Sequence, residues 1–278
     1  MHLIGLELKH KLGVKWFADF RDPWTTIGYH KSLRLSDTAA QKHKELESQV
    51  LNTADTIIVT SKTTKSEFEM LTTKPIAVIT NGFDVEKVEK QPLDSKFSLA
   101  HIGSFLSARN PQFLWESLVE LIAEIPDFKS HLEIKLIGAV SQEVLDSIGH
   151  FGLDSYLNNL GYVSHEEAIV HQRRSQVLLL IEIDSEETKS IIPGKLFEYM
   201  VSNRPIIAIG PNGSDFAEII TETNTGVFFD YSEKEKLKSV ILDFFNQFLE
   251  GKLQSHGIGL QQYSRKNLTK QLAQLISK

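Results

Sequence analysis

The stretch Ser190-Ile191-Ile192-Pro193-Gly194-Lys195-Leu196-Phe197-Glu198-Tyr199-Met200 decides how the rest of the chain is read. A short apolar run, Val177–Ile181, and an acidic loop over 182–189 precede it. Pro193 and Gly194 are expected to open a helix whose apolar face is Leu196, Phe197, Met200 and Val201. Proline suits a first helical turn, because the N–H it lacks would have no partner there. Free N–H groups and the positive dipole end then face back toward the loop and make an anion site. Lys195 adds a mobile cation, and Glu198 adds an acceptor pair one turn on. Such a site can hold a phosphate with a polyol beside it. The plainer alternative is a strand–loop–helix unit with a favourable acid in its first turn.

Composition bounds what such a site can belong to. A chain of 278 residues is long enough for two domains. Apolar content of 41% and charged content of 24% suit an ordinary globular protein. A formal net charge of −6 argues against a general nucleic-acid binder. The absence of cysteine excludes disulfides and thiolate chemistry and fits a reducing compartment. Residues 1–15 read as a basic amphipathic helix without the apolar core of a signal peptide or membrane span.

Outward from the opening stretch, apolar strands alternate with helices. Before it, a helix over 3–12 ending at Gly13 is followed by a buried strand over 14–20, which Arg21-Asp22-Pro23-Trp24 breaks. A helix over 38–52 takes Asp37 as its expected N-cap. A strand over 56–60, a helix over 62–71 capped by Ser61 and a strand over 75–79 come next, then a tight turn at Asn81-Gly82. Residues 85–96 are polar and read as a linker. Beyond it, strands are expected at Phe97–Ile102, 133–137, 160–163, Val177–Ile181, 205–209 and Gly226–Phe229. The helices between them are expected over 111–123, 142–149, His165–Arg174 and 213–221, with a further one over 233–248. The chain ends in an amphipathic helix over 263–277.

Such alternation means an α/β fold with a mostly parallel sheet covered on both faces. Six strands from Phe97 to Phe229 are the count of a Rossmann-like domain. Ligands bind there beyond the C-terminal strand ends, where the strand order reverses, between the first and fourth strands. The loop Gly103-Ser104-Phe105-Leu106-Ser107-Ala108-Arg109-Asn110 and the opening stretch are therefore expected to face one another. In that setting Arg109 can clamp a phosphate bidentately, Lys195 can assist, and Glu198 can take ribose hydroxyls. An exposed loop arginine is the alternative for Arg109.

These residues carry a family resemblance. Asp19-Phe20-Arg21-Asp22-Pro23-Trp24, Asn81-Gly82-Phe83-Asp84, the Gly103 to Asn110 loop, Leu136-Ile137-Gly138 and Pro193 to Tyr199 with Pro205 span nearly the whole chain. Together they resemble the bacterial group 1 glycosyltransferases, retaining enzymes of the GT-B fold. The resemblance implies a complete C-terminal Rossmann-like domain over 85–251 that binds a nucleotide-sugar. It also implies a partial N-terminal, acceptor-side Rossmann-like domain over 1–84, and a C-terminal helical segment over 252–278 that crosses back onto it. By position, Arg109 matches the basic residue on the donor diphosphate. Glu198 matches the second acid of the family's Glu-x7-Glu pair, the one near the ribose. Donor binding is accordingly expected at Gly103, Arg109, Ser190, Gly194, Lys195 and Glu198, and acceptor contact at Arg21 and Asp22. No catalytic residue is assigned.

Three departures stand out. The first acid of the Glu-x7-Glu pair falls at Ser190, and the basic residue that often follows the first glycine of the phosphate loop is Ser104. The family's acceptor-cleft histidine falls near Arg21; a structural ion pair with Asp22 is the alternative there. The chain also starts at a helix midway through the family's first domain. A fragment, a natural short form and strands supplied from elsewhere all remain open. An incomplete N-terminal sheet is expected to leave an edge suited to self-association.

The resemblance implies transfer of a sugar from a nucleotide-sugar donor to a glycan or lipid-linked acceptor in polysaccharide biosynthesis. It implies a cytoplasmic location, with the inner face of the membrane as one site. The Lys and Arg faces of 1–15 and 263–277 suit peripheral contact with an acidic membrane surface, and solvated helix faces are the plainer alternative. The alternative is a non-catalytic or truncated nucleotide-binding remnant. No cofactor is expected, because the nucleotide-sugar is a substrate. No metal is expected either: Glu182-Ile183-Asp184 resembles an Asp-x-Asp metal motif, but GT-B enzymes need none. The histidines show no zinc spacing. No Gly-x-Gly-x-x-Gly follows a strand and no Gly-x-Ser-x-Gly elbow is present, against dinucleotide oxidoreductases and serine hydrolases.

Overall fold

The computed structural model describes residues 1–28, 30, 33–84 and 91–277. Much of the expected linker, 85–90, lies outside the described residues. The chain divides into two compact units. One comprises 1–84, 185–194 and 261–278, and the other 85–184 and 195–260.

The first unit begins with α1 (His2–Leu12), which Gly13 ends in the left-handed region at φ 63°. Gly5 seats this helix on Trp16, since a Cβ there would meet the indole at 2.6 Å. Lys9 and Asp55 fix it with a 2.7 Å ion pair, and the His2 ring stacks on Phe20. Strands β1 (Phe17–Phe20), β2 (Thr56–Val59) and β3 (Ile76–Val78) form a parallel sheet in that order. Between them run α2 (Asp37–Thr53) and α3 (Lys62–Glu69). Ser61 caps α3 as expected, but Ser36, not Asp37, caps α2. Ser36 has extended backbone and its hydroxyl accepts from the Ala39 N–H at 3.3 Å. Asp37 is left in the first turn, where its charge suits the dipole. One face of the sheet packs Ala18, Phe20, Ile57 and Val59 against Val50, Leu51 and Phe68.

In the second unit β4 (Phe97–Ile102) leads to α4 (Gln112–Glu124), a short α5 (Pro126–His131) and β5 (Leu132–Ile137). Helix α6 (Gln142–His150), β6 (Leu157–Gly161), α7 (His165–Arg174) and β7 (Val177–Ile181) follow. Next come α8 (Lys195–Met200), β8 (Ile206–Ile209), α9 (Asp215–Thr223), β9 (Gly226–Phe229) and α10 (Lys234–Leu249). The six strands are parallel in the order β6-β5-β4-β7-β8-β9, so the reversal lies between β4 and β7, as expected. At its start, Asp94 of the expected linker is anchored, pairing with Lys135 of β5 at 2.7 Å.

Two further expectations are corrected. The third strand of this unit comes earlier than 160–163, because Leu157-Asn158-Asn159 pairs as an edge strand despite its polar residues, with a register irregularity at Leu136/Ile137. Pro193 and Gly194 precede α8 and do not open it: the helix is six residues long and buries Leu196, Phe197, Tyr199 and Met200. Ser202 turns back onto Tyr199, and Asn203 takes φ 60°, which stops it.

The last helix, α11 (Arg265–Ile276), belongs to the first unit. Its Leu268 closes on Ile58 and Ile79, the second face of the small sheet. Phe83 and Ser264 bridge in parallel, and Gly82 admits the backbone there, since a Cβ would meet the Tyr263 carbonyl oxygen.

Candidate functional site

The opening between β4 and β7 is built into their register. The two strands pair over only Leu99↔Val177 and Ala100↔Leu178. Beyond that, the Ile102 N–H donates to the Tyr199 hydroxyl at 3.0 Å instead of to a strand. The hydroxyl is buried and its pKa is raised by desolvation, so it stays a neutral bridge between α8 and β4.

Two glycines shape the crevice floor. Gly103 has φ 113° and donates its N–H to the Ile137 carbonyl oxygen at 2.7 Å. Gly138 has φ 117°, and a Cβ on it would meet the Gly103 oxygen at 2.6 Å. These backbones can approach only without side chains, and their conformations favour glycine.

Lys195, the first residue of α8, reaches over Gly103: its Nζ would lie 3.3 Å from a Cβ placed there. The same Nζ is 3.1 Å from Nε2 of His101, a fully buried residue of β4. Removal from water, with a smaller contribution from the Arg109 charge and against the opposing pull of Glu182, lowers the Lys195 pKa to about 7. Arg109 ends a single 3-10 turn, Ser107–Arg109. Its Nε and Nη2 donate to the Glu182 carboxylate at 3.0 and 3.2 Å. Glu182 is almost fully buried at the end of β7, while Arg109 is partly exposed. The pair satisfies one edge of the guanidinium and leaves the rest of its fork available. Glu198, one turn along α8, accepts from Gln172 of α7 at 2.9 Å.

Gly103, Arg109 and Lys195 are thus brought together at the switch point, with Glu198 one turn along the same short helix. Ser190 and Gly194 fall in the first unit: Ser190 is buried, in a turn where Ile191 donates to the Thr188 oxygen, and Gly194 is exposed. Three contributors escaped the sequence reading: His101, the Glu182 carboxylate and Tyr199. Glu182 had a signal as half of an acidic pair, but its role here is to hold Arg109.

In the first unit, Arg21 donates to the Asn81 side chain at 3.2 Å and pairs with Asp19 at 3.4 Å, so the alternative of a structural ion pair at the strand end is met by Asp19 and not by Asp22. Arg21 and Asp22 line two hollows. One, of about 760 Å³, is aromatic, with Trp16, Phe20 and Trp24; the other, of about 550 Å³, is more polar, with Thr80, Asn81 and Arg265.

No family model and no curated protein matches the chain. Solved structures do. Sucrose-phosphate synthase from Thermosynechococcus elongatus is 15% identical with a TM-score of 0.68, the match covering 99% of this chain and 70% of that one. Anabaena Alr3699/HepE, solved with UDP and glucose, is 16% identical with a TM-score of 0.69, covering 100% and 75%. WaaG, a glycosyltransferase of lipopolysaccharide biosynthesis, is 11% identical with a TM-score of 0.63, covering 90% and 73%. Identities this low speak to architecture, and the architecture is that of the GT-B glycosyltransferases.

Proposed function

We propose that the chain is a glycosyltransferase that moves a sugar from a nucleotide-sugar donor to a glycan or lipid-linked acceptor. The observation that carries this reading is the meeting of Gly103, Arg109 and Lys195 where β4 and β7 part. A glycine-lined floor with two cations beside it suits a diphosphate, and a carboxylate one turn on, Glu198, suits ribose hydroxyls. The solved HepE complex with UDP and glucose supports a ligand of this class. In this reading Arg109 and Lys195 stabilise the diphosphate as negative charge develops on it during departure of the sugar. The short α8 adds little dipole, so the Lys195 charge is the stronger attraction. Residues 85–251 form the donor domain, 1–84 the acceptor side with Arg21 and Asp22, and 252–278 the returning segment. In the same reading the protein works in the cytoplasm at the inner membrane face. Self-association through the edge of the small sheet belongs to the same reading.

A second reading, nucleotide binding without transfer, is favoured by Ser190, which stands where a carboxylate is expected. Incubation with UDP-glucose, ADP-glucose and GDP-mannose, with and without glycan and polyprenyl-phosphate acceptors, separates the two. Release of nucleoside diphosphate supports transfer or hydrolysis. Binding without release supports the second reading, and no binding overturns both.

A further inference from the structure

We propose that His101 is a positioning residue for Lys195, and that through this pair the Gly103 site takes up a proton when it binds a diphosphate. The inference rests on the reading of that site as a donor-diphosphate site.

The geometry is unusual for a lysine. Its Nζ lies 3.1 Å from an imidazole nitrogen. The carboxylate at the site, Glu182, is already engaged bidentately by Arg109. The charges that act on the ammonium are Arg109 from the loop after β4 and Glu182 from just past β7. Glu198, on the same helix as Lys195, has its carboxylate held by Gln172. His101 is fully buried and stacked on Phe105 at 4.4 Å. Burial and the Lys195 charge both hold its pKa well below the ordinary value, so it stays neutral.

A neutral imidazole can present Nε2 to Lys195 in two ways. When Lys195 is charged, Nε2 accepts from the ammonium and the ring proton sits on Nδ1. When Lys195 is neutral, Nε2–H can donate to the Ser104 oxygen 3.3 Å away. The Ser104 carbonyl belongs to the same loop as Gly103, so the tautomer and the lysine charge move together at the phosphate floor. An arriving diphosphate favours the charged lysine, as any close opposite charge does. A site that is partly unprotonated near neutral pH must then draw a proton from the buffer as it fills.

Titration calorimetry in two buffers of different ionisation enthalpy measures that proton. UDP-glucose, ADP-glucose and GDP-mannose are suitable probes, because their diphosphate charge does not change across the range. Uptake is expected to be near zero at about pH 6 and to rise toward one proton by about pH 8.5. Above the free-site pKa, affinity should fall toward about tenfold per pH unit. Lys195→Arg should abolish uptake and flatten the profile. His101→Phe keeps the ring stack but removes the acceptor, and should move the affinity midpoint to lower pH. His101→Gln restores an acceptor and should recover part of that shift, which a merely structural role would not do. Binding without proton uptake, or a midpoint unmoved by His101→Phe, overturns the inference while leaving the diphosphate reading intact. If none of the three probes binds, both fall.

Discussion

Arg109 already carries a carboxylate of its own, and this changes how its role must be tested. Arg109→Ala would strand the buried Glu182 charge and cost about 3–5 kcal/mol of stability. The chemical denaturation midpoint of Arg109→Ala should therefore fall, and adding Glu182→Gln should recover much of it. Compared with Glu182→Gln alone, the double variant should lose about 1.5–3 kcal/mol of nucleotide-sugar affinity if the free part of the fork holds phosphate. Equal calorimetric affinities would remove Arg109 from the site. Lys195 makes a prediction of opposite sign. Its folded pKa of about 7 lies below the ordinary value of 10.5, so the unfolded chain binds more protons between these values and stability rises with pH across that window. Lys195→Met should stabilise the chain by about 0.5–2 kcal/mol at neutral pH. That gain should be largest below the folded pKa and shrink as pH rises toward 10.5, in denaturation curves taken across the range. Arg109 and Lys195 could be read from the sequence because loop position and charge are local. Their partners could not: Glu182, just past β7, and His101, within the apolar β4, are ordinary residues until the sheet order sets them beside the two cations.

At the level of elements, the crevice depends on a hydroxyl and a glycine. Tyr199→Phe removes the partner of the Ile102 N–H where β4 has already left β7, and should cost about 1–3 kcal/mol, the penalty of an unsatisfied buried donor. If hydrogen exchange at Ile102 and the unfolding midpoint both stay unchanged, the bridge is dispensable. Gly138→Ala should cost more, because its Cβ runs into backbone that cannot rotate away. The elements themselves were largely legible: His165–Arg174, Val177–Ile181 and Gly226–Phe229 fall where apolar runs and turn residues set them. The misreadings have physical causes. Leu157–Gly161 is an edge strand whose asparagines look like a turn, and Pro126–His131 is a single short helix started by a proline. The apolar spacing of the opening stretch continues past Met200 and so favours a longer helix; the left-handed Asn203 ends it instead.

At the scale of the whole chain, each unit has a core of its own, and the small one depends on residues far away in sequence. Ile58 and Ile79 are covered by Leu268, about two hundred residues later. Alternating strands and helices made the Rossmann-like order legible in advance, but no local pattern announces which sheet a terminal helix will cover. Tryptophans divide conveniently: Trp16 and Trp24 lie in the first unit and Trp115 in the core of the second. In a Trp115→Phe background, fluorescence follows the first unit; in a Trp16→Phe/Trp24→Phe background it follows the second. Leu268→Ala opens a cavity against two strands and should lower the first unit's stability by about 2–5 kcal/mol. The Trp115 transition should then stay within about 0.5 kcal/mol of its original position, as expected for a site distant from the change. Equal shifts in both backgrounds would mean that the two cores unfold as one cooperative body, and that the last helix stabilises the whole chain rather than the small sheet it covers.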